Sequence, residues 1–316
     1  MLSRVADALF WMSRYLERAE QVARSLDVTF HLELDLHGVT GSEEGEEWNY
    51  LFRSLNQTPP PAKLGESYSY TVLRWLTLDM SNQGSVMNCL NRSRNNARSI
   101  RDSISSEMWR SLNKLYWRLN DRDFQTQVTE SLSEFCETVQ NGTQLFHGVC
   151  DTTLTHDEGW HFIQLGRYLE RAQHLLLVLK SQLDLSPVED TGDTVFSNLH
   201  WAAVLKTCAA YDAYRRLYIS RVDGERVLEF LLLNLDFPHS VRFCATTMMN
   251  SLTAISGELS YRSDNEALRH VGRLVNELTY LDNLEMSNAE LKSLLSDCLN
   301  RCTLISRSMQ KQYALH

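Results

Sequence analysis

The residues best suited to chemistry come as a twin. Arg14, Glu17 and Arg18 stand in "SRYLERAEQVARSL", and Arg167, Glu170 and Arg171 stand in "GRYLERAQHLLLVL". Residues three apart share a helix face, so Arg14 can meet Glu17, while Arg18 is better placed to reach a neighbouring element. Guanidinium forks beside a carboxylate can cross-brace buried packing, or they can hold a carboxylate or phosphate in bidentate fashion. Four arginines against two glutamates leave positive charge for a further anion. An Asp or Glu elsewhere, a carboxylate-bearing ligand or a phosphate would serve. General acid–base work by Glu17 and Glu170 needs a carboxyl held protonated, and neighbouring arginines favour the ionised form. Proton transfer is disfavoured on that ground; anion binding is not.

A second basic feature lies in "NRSRNNARSIRDSISSEMWRSLN" (91–113), where Arg94, Arg98 and Arg101 are spaced to line one helix face, with Glu107 and Trp109 opening the next helix. Such a row suits an anionic ligand or an acidic partner, or is simply a solvated basic face. Metal chemistry has weaker support. Cys298 and Cys302 share a helix face, as a metal half-site would, but read better as small buried residues. "HLELDLH" (31–37) scatters its His and carboxylates around a helix axis. No metal site is expected. The chain has no His-Glu-x-x-His, Gly-x-Ser-x-Gly, P-loop or Gly-x-Gly-x-x-Gly motif, so nothing reads as a zinc protease, nucleophile elbow or nucleotide cradle.

The elements that must position these residues are helices. Val5, Leu9, Met12, Leu16, Ala19, Ala23 and Leu26 follow 3–4 spacing and form one stripe. At about 100° per residue, Arg14, Glu17 and Arg18 fall opposite that stripe, flanked there by Phe10 and Trp11. In the second copy Leu177 and Val178 occupy the charged side. A helix apolar on nearly every side is an interior helix, so both charged patches are expected inside the protein. Breaks fall at 37–47, 56–67, 184–194, 221–225 and 236–240, and capping boxes at Thr155…Glu158, Ser263…Glu266 and Ser287…Glu290. The pattern predicts an all-α array of about ten to twelve helices.

The array reads as a duplication. Tyr15, Arg18 and Trp48 recur as Tyr168, Arg171 and Trp201, each 153 positions on (168 minus 15). "VLRWLTLDMSNQGSV" (72–86) then aligns without gaps to "VLEFLLLNLDFPHSV" (227–241), and Cys89 with Cys244, at 155 positions (241 minus 86). The expected organisation is an N-terminal half, 1–153, and a C-terminal half, 154–316, packed about a pseudo-twofold axis as one structural unit. The period is far too long for a solenoid. The segment matching the arginine row, "ATTMMNSLTAISGELS" (245–260), has none of its arginines.

Composition bounds the partners. A formal charge of −9 over 316 residues argues against nucleic acid. No signal peptide or membrane span is expected, and seven scattered cysteines without Cys-x-x-Cys fit a cytoplasmic chain.

"WMSRYLERAEQVAR", "SRNNARSIRDSISSEMW", "IQLGRYLERA" and "FLLLNLDFPHSV", in that order, resemble the bacterial alpha-E domain family, an all-helical family named for its Glu-Arg motif. The resemblance spans essentially the whole chain. His239 stands where the family usually has arginine after the proline, which would weaken anion binding there or make it pH-sensitive. Family members typically accompany, or are fused to, a circularly permuted ATP-grasp ligase, often with a transglutaminase-like peptidase. The resemblance therefore implies a partner or substrate-binding subunit of a carboxylate–amine ligase, with ATP and magnesium held by the ligase and no cofactor in this chain. An enzyme acting on the carboxylate or acyl-phosphate intermediate is one alternative. A scaffold whose twin motif is an ion-pair brace is the other.

Overall fold

The computed structural model describes residues 1–40, 46–61, 67–126, 128, 131–185, 194–219, 221–257, 265–281 and 286–313, with backbone alone at 36–40, 46 and 194–196. Among these the chain is all-α. Its helices are α1 (Ser3–Thr40), α2 (Glu46–Ser54), α3 (Tyr68–Thr77), α4 (Val86–Ser99), α5 (Ser106–Leu119), α6 (Arg122–Thr126) and α7 (Leu132–Thr153). Then come α8 (Glu158–Leu185), α9 (Thr194–Thr207), α10 (Tyr211–Leu217), α11 (Gly224–Leu233), α12 (Val241–Ser256), α13 (Glu266–Thr279) and α14 (Asn288–Tyr313). That makes fourteen α-helices, with a 3-10 turn at Arg101–Ser103 and no strand among the described residues. The number exceeds the expected ten to twelve because α6 and α10 are too short to show a periodic stripe.

Two compact units divide the chain. The first holds Met1–Trp48, Gln57–Arg167 and the end from Tyr313; the second holds Asn49–Asn56 and Tyr168–Gln312. Helix α8 gives its first turns, through Arg167, to the first unit. In that unit α1 packs on α4 and α7, and α5 on α7. With no proline or glycine before Gly38, α1 runs unbroken, and Leu9, Met12, Leu16, Ala19, Ala23 and Leu26 are all buried along the expected stripe. Tyr15 and Met12 are tied to α4: Arg92 Nη1 donates to Tyr15 Oη at 3.0 Å, and Ser93 Oγ donates to the Met12 carbonyl at 2.9 Å. In the second unit α12 packs on α13 and α11.

Local structures recur along the chain. Ser85 caps α4: its Oγ accepts from Asn88 N at 3.2 Å and donates to the Asp79 carbonyl at 2.6 Å. Ser240 caps α12 in the same way, accepting from Phe243 N at 3.1 Å and donating to the Asn234 carbonyl. Asp79 Oδ1 accepts from Ser81 N, as Asn234 Oδ1 accepts from Asp236 N. Cys89 Sγ leans on the Gln83 carbonyl and Cys244 Sγ on that of Pro238. Asn56 and Ala209, at φ 51° and 50°, are the non-glycine residues with positive φ among those described, each two residues past a helix end. Trp48 and Trp201 are both fully buried.

The caps need two corrections. Ser287 and Glu290 form the expected box at the head of α14. At α8 the cap is Asp157, which accepts from Gly159 N at 2.9 Å, and not Thr155. Ser263 lies outside the described residues, and α13 is capped by Asn265 through Leu268 N. No helix among the described residues is long and apolar enough to cross a membrane.

Candidate functional site

In the first unit the motif of α1 is buried, as its helical position requires: Arg14 is 6% exposed and Glu17 1%. Arg14 stacks on the two aromatics that flank it, 4.9 Å from the Trp11 ring and 5.6 Å from that of Phe10. Arg18 is half-buried over Tyr15. Glu17 is the meeting point. Arg167 Nε of α8 lies 3.8 Å from its Oε2, His147 Nε2 of α7 lies 3.7 Å from the same oxygen, and Gln21 donates to Oε1. Gly166 makes this approach possible. A Cβ there would collide with the Phe10 carbonyl oxygen, so only glycine lets α8 come against the α1 backbone.

Glu20 is a further buried carboxylate beside the motif, but it brings its own arginine, Arg24, and leaves the motif's surplus as it was. It is 5% exposed, pairs with Arg24 at 2.8 Å and accepts from Thr143 and Gln144 of α7 at 3.1 and 3.5 Å. Glu17, Glu20 and His147 thus bring two carboxylate oxygens and one imidazole nitrogen within 4.8 Å of one another, all buried. This is a donor set that a divalent transition metal accepts. A cation there would have to displace the Arg24, Thr143 and Gln144 contacts and lie close to Arg24 and Arg167. At these distances like-charge repulsion is large in a buried setting, so the carboxylates are better matched to the arginines.

Sequence reasoning missed Glu20, Thr143, Gln144 and His147. Glu20 and Arg24 carried a signal, being four apart on α1. His147, in "QLFHGVC", carried none, because its partner is distant in sequence.

From Tyr168 on, the second copy belongs to the second unit, with Glu170 and Arg171 6% and 3% exposed. Arg171 sits over Tyr168 at 5.3 Å, repeating Arg18 over Tyr15, and donates to the Pro238 carbonyl at 3.3 Å. His239, next in the chain, is half-buried with its ring 6.0 Å from that of Phe237.

The arginine row does not follow one helix face. Helix α4 ends at Ser99, and Arg101 falls in the 3-10 turn after it, where Ile100 leaves helical backbone at φ −128°, ψ 36° and buries its side chain. Arg94 and Arg101 converge on Trp109 instead, at 5.5 and 4.9 Å. Tyr116 and Trp117 complete the surround of Arg94, whose Nε donates to Asn113. Arg98 is exposed, and Glu107 pairs with Arg110 at the surface. Cys298 and Cys302 are buried, and burial pushes the Cys298 thiol up to about 12, the inert protonated form. In "HLELDLH", Glu33 is taken by Trp48 Nε1 at 2.8 Å, His31 lies beside Asp27, and the side chain of His37 is outside those described.

Residues 1–314 match the Alpha-E family, described as a predicted alpha-helical domain with a conserved ER motif. Among curated proteins, an uncharacterised protein of Mycobacterium bovis and one from each of two Mycobacterium tuberculosis strains are 24% identical over 269 residues. The match covers 80% of this chain and 30% of each relative, so the chain spans less than a third of the length of those proteins. No solved structure matches.

Proposed function

Since the chain belongs to the Alpha-E family, we propose that it is a partner or substrate-binding subunit of an ATP-grasp-type carboxylate–amine ligase system, serving an anionic or peptide-like substrate. One observation carries the reading. In the mycobacterial relatives the matching region is under a third of a longer chain, which suits a domain that acts beside others. The charged residues of the twin motif, Arg14, Glu17, Arg18 and Arg167 in the first unit and Glu170 and Arg171 in the second, are its ligand-binding candidates. The surface of Arg94, Arg98, Arg101, Glu107 and Trp109 is its partner-facing side, with His239 near the second copy. ATP and magnesium belong to the ligase in this reading, and a transglutaminase-like peptidase is a further partner.

The duplication is part of the proposal. It is supported by the matched caps at Ser85 and Ser240, the cysteine contacts that follow them, and the positive φ at Asn56 and Ala209. The boundary between halves lies near residue 153. Ser85→Ala and Ser240→Ala should lower stability alike, by about 1 kcal/mol each; effects differing severalfold in chemical denaturation would count against equivalence.

Co-purification with an ATP-grasp ligase encoded beside it, and stimulation of that ligase's ADP release by the added chain, test the main reading. Failure of both sinks it. The buried pairing of Glu17 with Arg167 and His147 favours a second reading, in which the motif is a brace and any ligand binds elsewhere. Turnover of a carboxylate or acyl phosphate by the isolated chain would replace both with an enzyme.

A further inference from the structure

The second unit carries a separate basic cleft, independent of the ligase reading. Helices α13 and α14 enclose about 330 Å³ lined by Arg269, His270 and Arg273 on one side and Arg307, Ser308 and Lys311 on the other. Each helix offers its pair of cations four residues apart, one turn above the other. Four cationic side chains face one carboxylate, Glu266, and that lies 3.8 Å from Lys311. Among the described residues no carboxylate pairs with Arg269, Arg273 or Arg307. In a chain of net charge −9 this is a local concentration of the opposite sign.

Two features set the cleft apart from an ordinary solvated face. Arg269 and Arg273 are the fourth and eighth of the fourteen residues of α13, away from the last turn where the helix dipole favours cations. The dipole therefore does not account for these two. His270 lines the cleft with Nδ1 buried and without a hydrogen-bond partner. Its proton is disfavoured by burial first, then by Arg273, Arg301 and Arg269, with Glu266 acting the other way.

We propose that this cleft binds a compact phosphate-bearing small molecule, gripped by Arg269 and Arg273 from α13 and Arg307 and Lys311 from α14, with the Ser308 hydroxyl and His270 as further hydrogen-bonding groups. Arginine forks match the geometry of phosphate oxygens. The excess positive charge exceeds what a single carboxylate neutralises, which favours a multiply charged anion. The volume lies at the small end of ligand pockets, which excludes an extended ligand.

The test is calorimetric titration of the full chain with inorganic phosphate, pyrophosphate and succinate at fixed ionic strength in potassium chloride. The parent is compared with Arg273→Gln/Arg307→Gln, two exposed positions, and with the exposed Arg216→Gln as a surface control. Thermal midpoints and the His270 ring proton shift are followed alongside. Saturable one-site binding of pyrophosphate or phosphate is expected, with His270 shifting at saturation. The double variant should bind about tenfold or more weakly, and the control should bind as the parent does. The proposal is overturned by absence of binding in both heat and thermal shift, by binding the double variant keeps, by equal loss in the control, or by succinate binding more tightly than pyrophosphate.

Discussion

The cluster around Glu17 and the cleft around Arg273 hold similar side chains in opposite circumstances. In the first unit Glu17 and Glu20 are nearly solvent-free and are met by Arg24, Arg167, Gln21, Thr143, Gln144 and His147. In the second unit the cleft cations Arg269, Arg273, Arg307 and Lys311 are exposed, and among the described residues Lys311 alone of the four lies against a carboxylate. Burying a charge is costly unless it is paired, whereas an exposed charge remains solvated until a ligand arrives. The first arrangement ties charge to folding, and the second leaves charge available for binding. An arginine-rich sequence alone does not distinguish them.

The contrast is tested most strongly at its buried end. Glu17→Gln keeps the shape but removes the anion beside Arg167 and His147. Breaking such a pair costs about 3–5 kcal/mol, or roughly 6–10 °C in thermal midpoint for a chain of this size. An unchanged or raised midpoint would mean that these charges are held for a ligand or partner, and the contrast would collapse. Gly166→Ala should come next, at about 1–3 kcal/mol, because the added methyl must push α8 away from the Phe10 carbonyl. Loss of less than that would show that the close approach is not needed.

At the open end effects on stability should be small. Arg273→Gln should leave the thermal midpoint within about 0.5 kcal/mol equivalent of the parent. The pH dependence is subtler still. His270 is held below its usual 6.5 in the folded chain, so the unfolded chain takes up its proton first as pH falls. Stability should therefore decline as pH drops through 6.5 towards the folded value and then level off. His270→Gln should flatten that part of the curve in denaturant melts at successive pH values. His161, also held low by burial, contributes equally to both proteins and cancels in the comparison.

Much of the fold was legible from the residues. The stripe from Leu9 to Leu26 gave α1, and "DFPHS" marked the break before α12. The all-round apolar character of both motif helices foretold the burial of Glu17 and Glu170. Other features were illegible for physical reasons. Arg101 left the row because burying Ile100 ends the helix, a tertiary effect stronger than helical spacing. Arg269 with Arg273 and Arg307 with Lys311 each look like an ordinary polar helix face, and only the approach of α13 to α14 turns them into a cleft.

What the sequence determined by itself was periodic and local: element type, stripe, cap, turn, and the side of each helix that must be buried. Those features come from backbone geometry and the transfer of apolar groups out of water, which act residue by residue. Which charges meet was decided only by tertiary structure. Glu17 finds Arg167 and His147 because Gly166 admits α8 against α1 and α7 packs alongside. Electrostatic pairing depends on separation and burial, and both are fixed only once distant segments have docked.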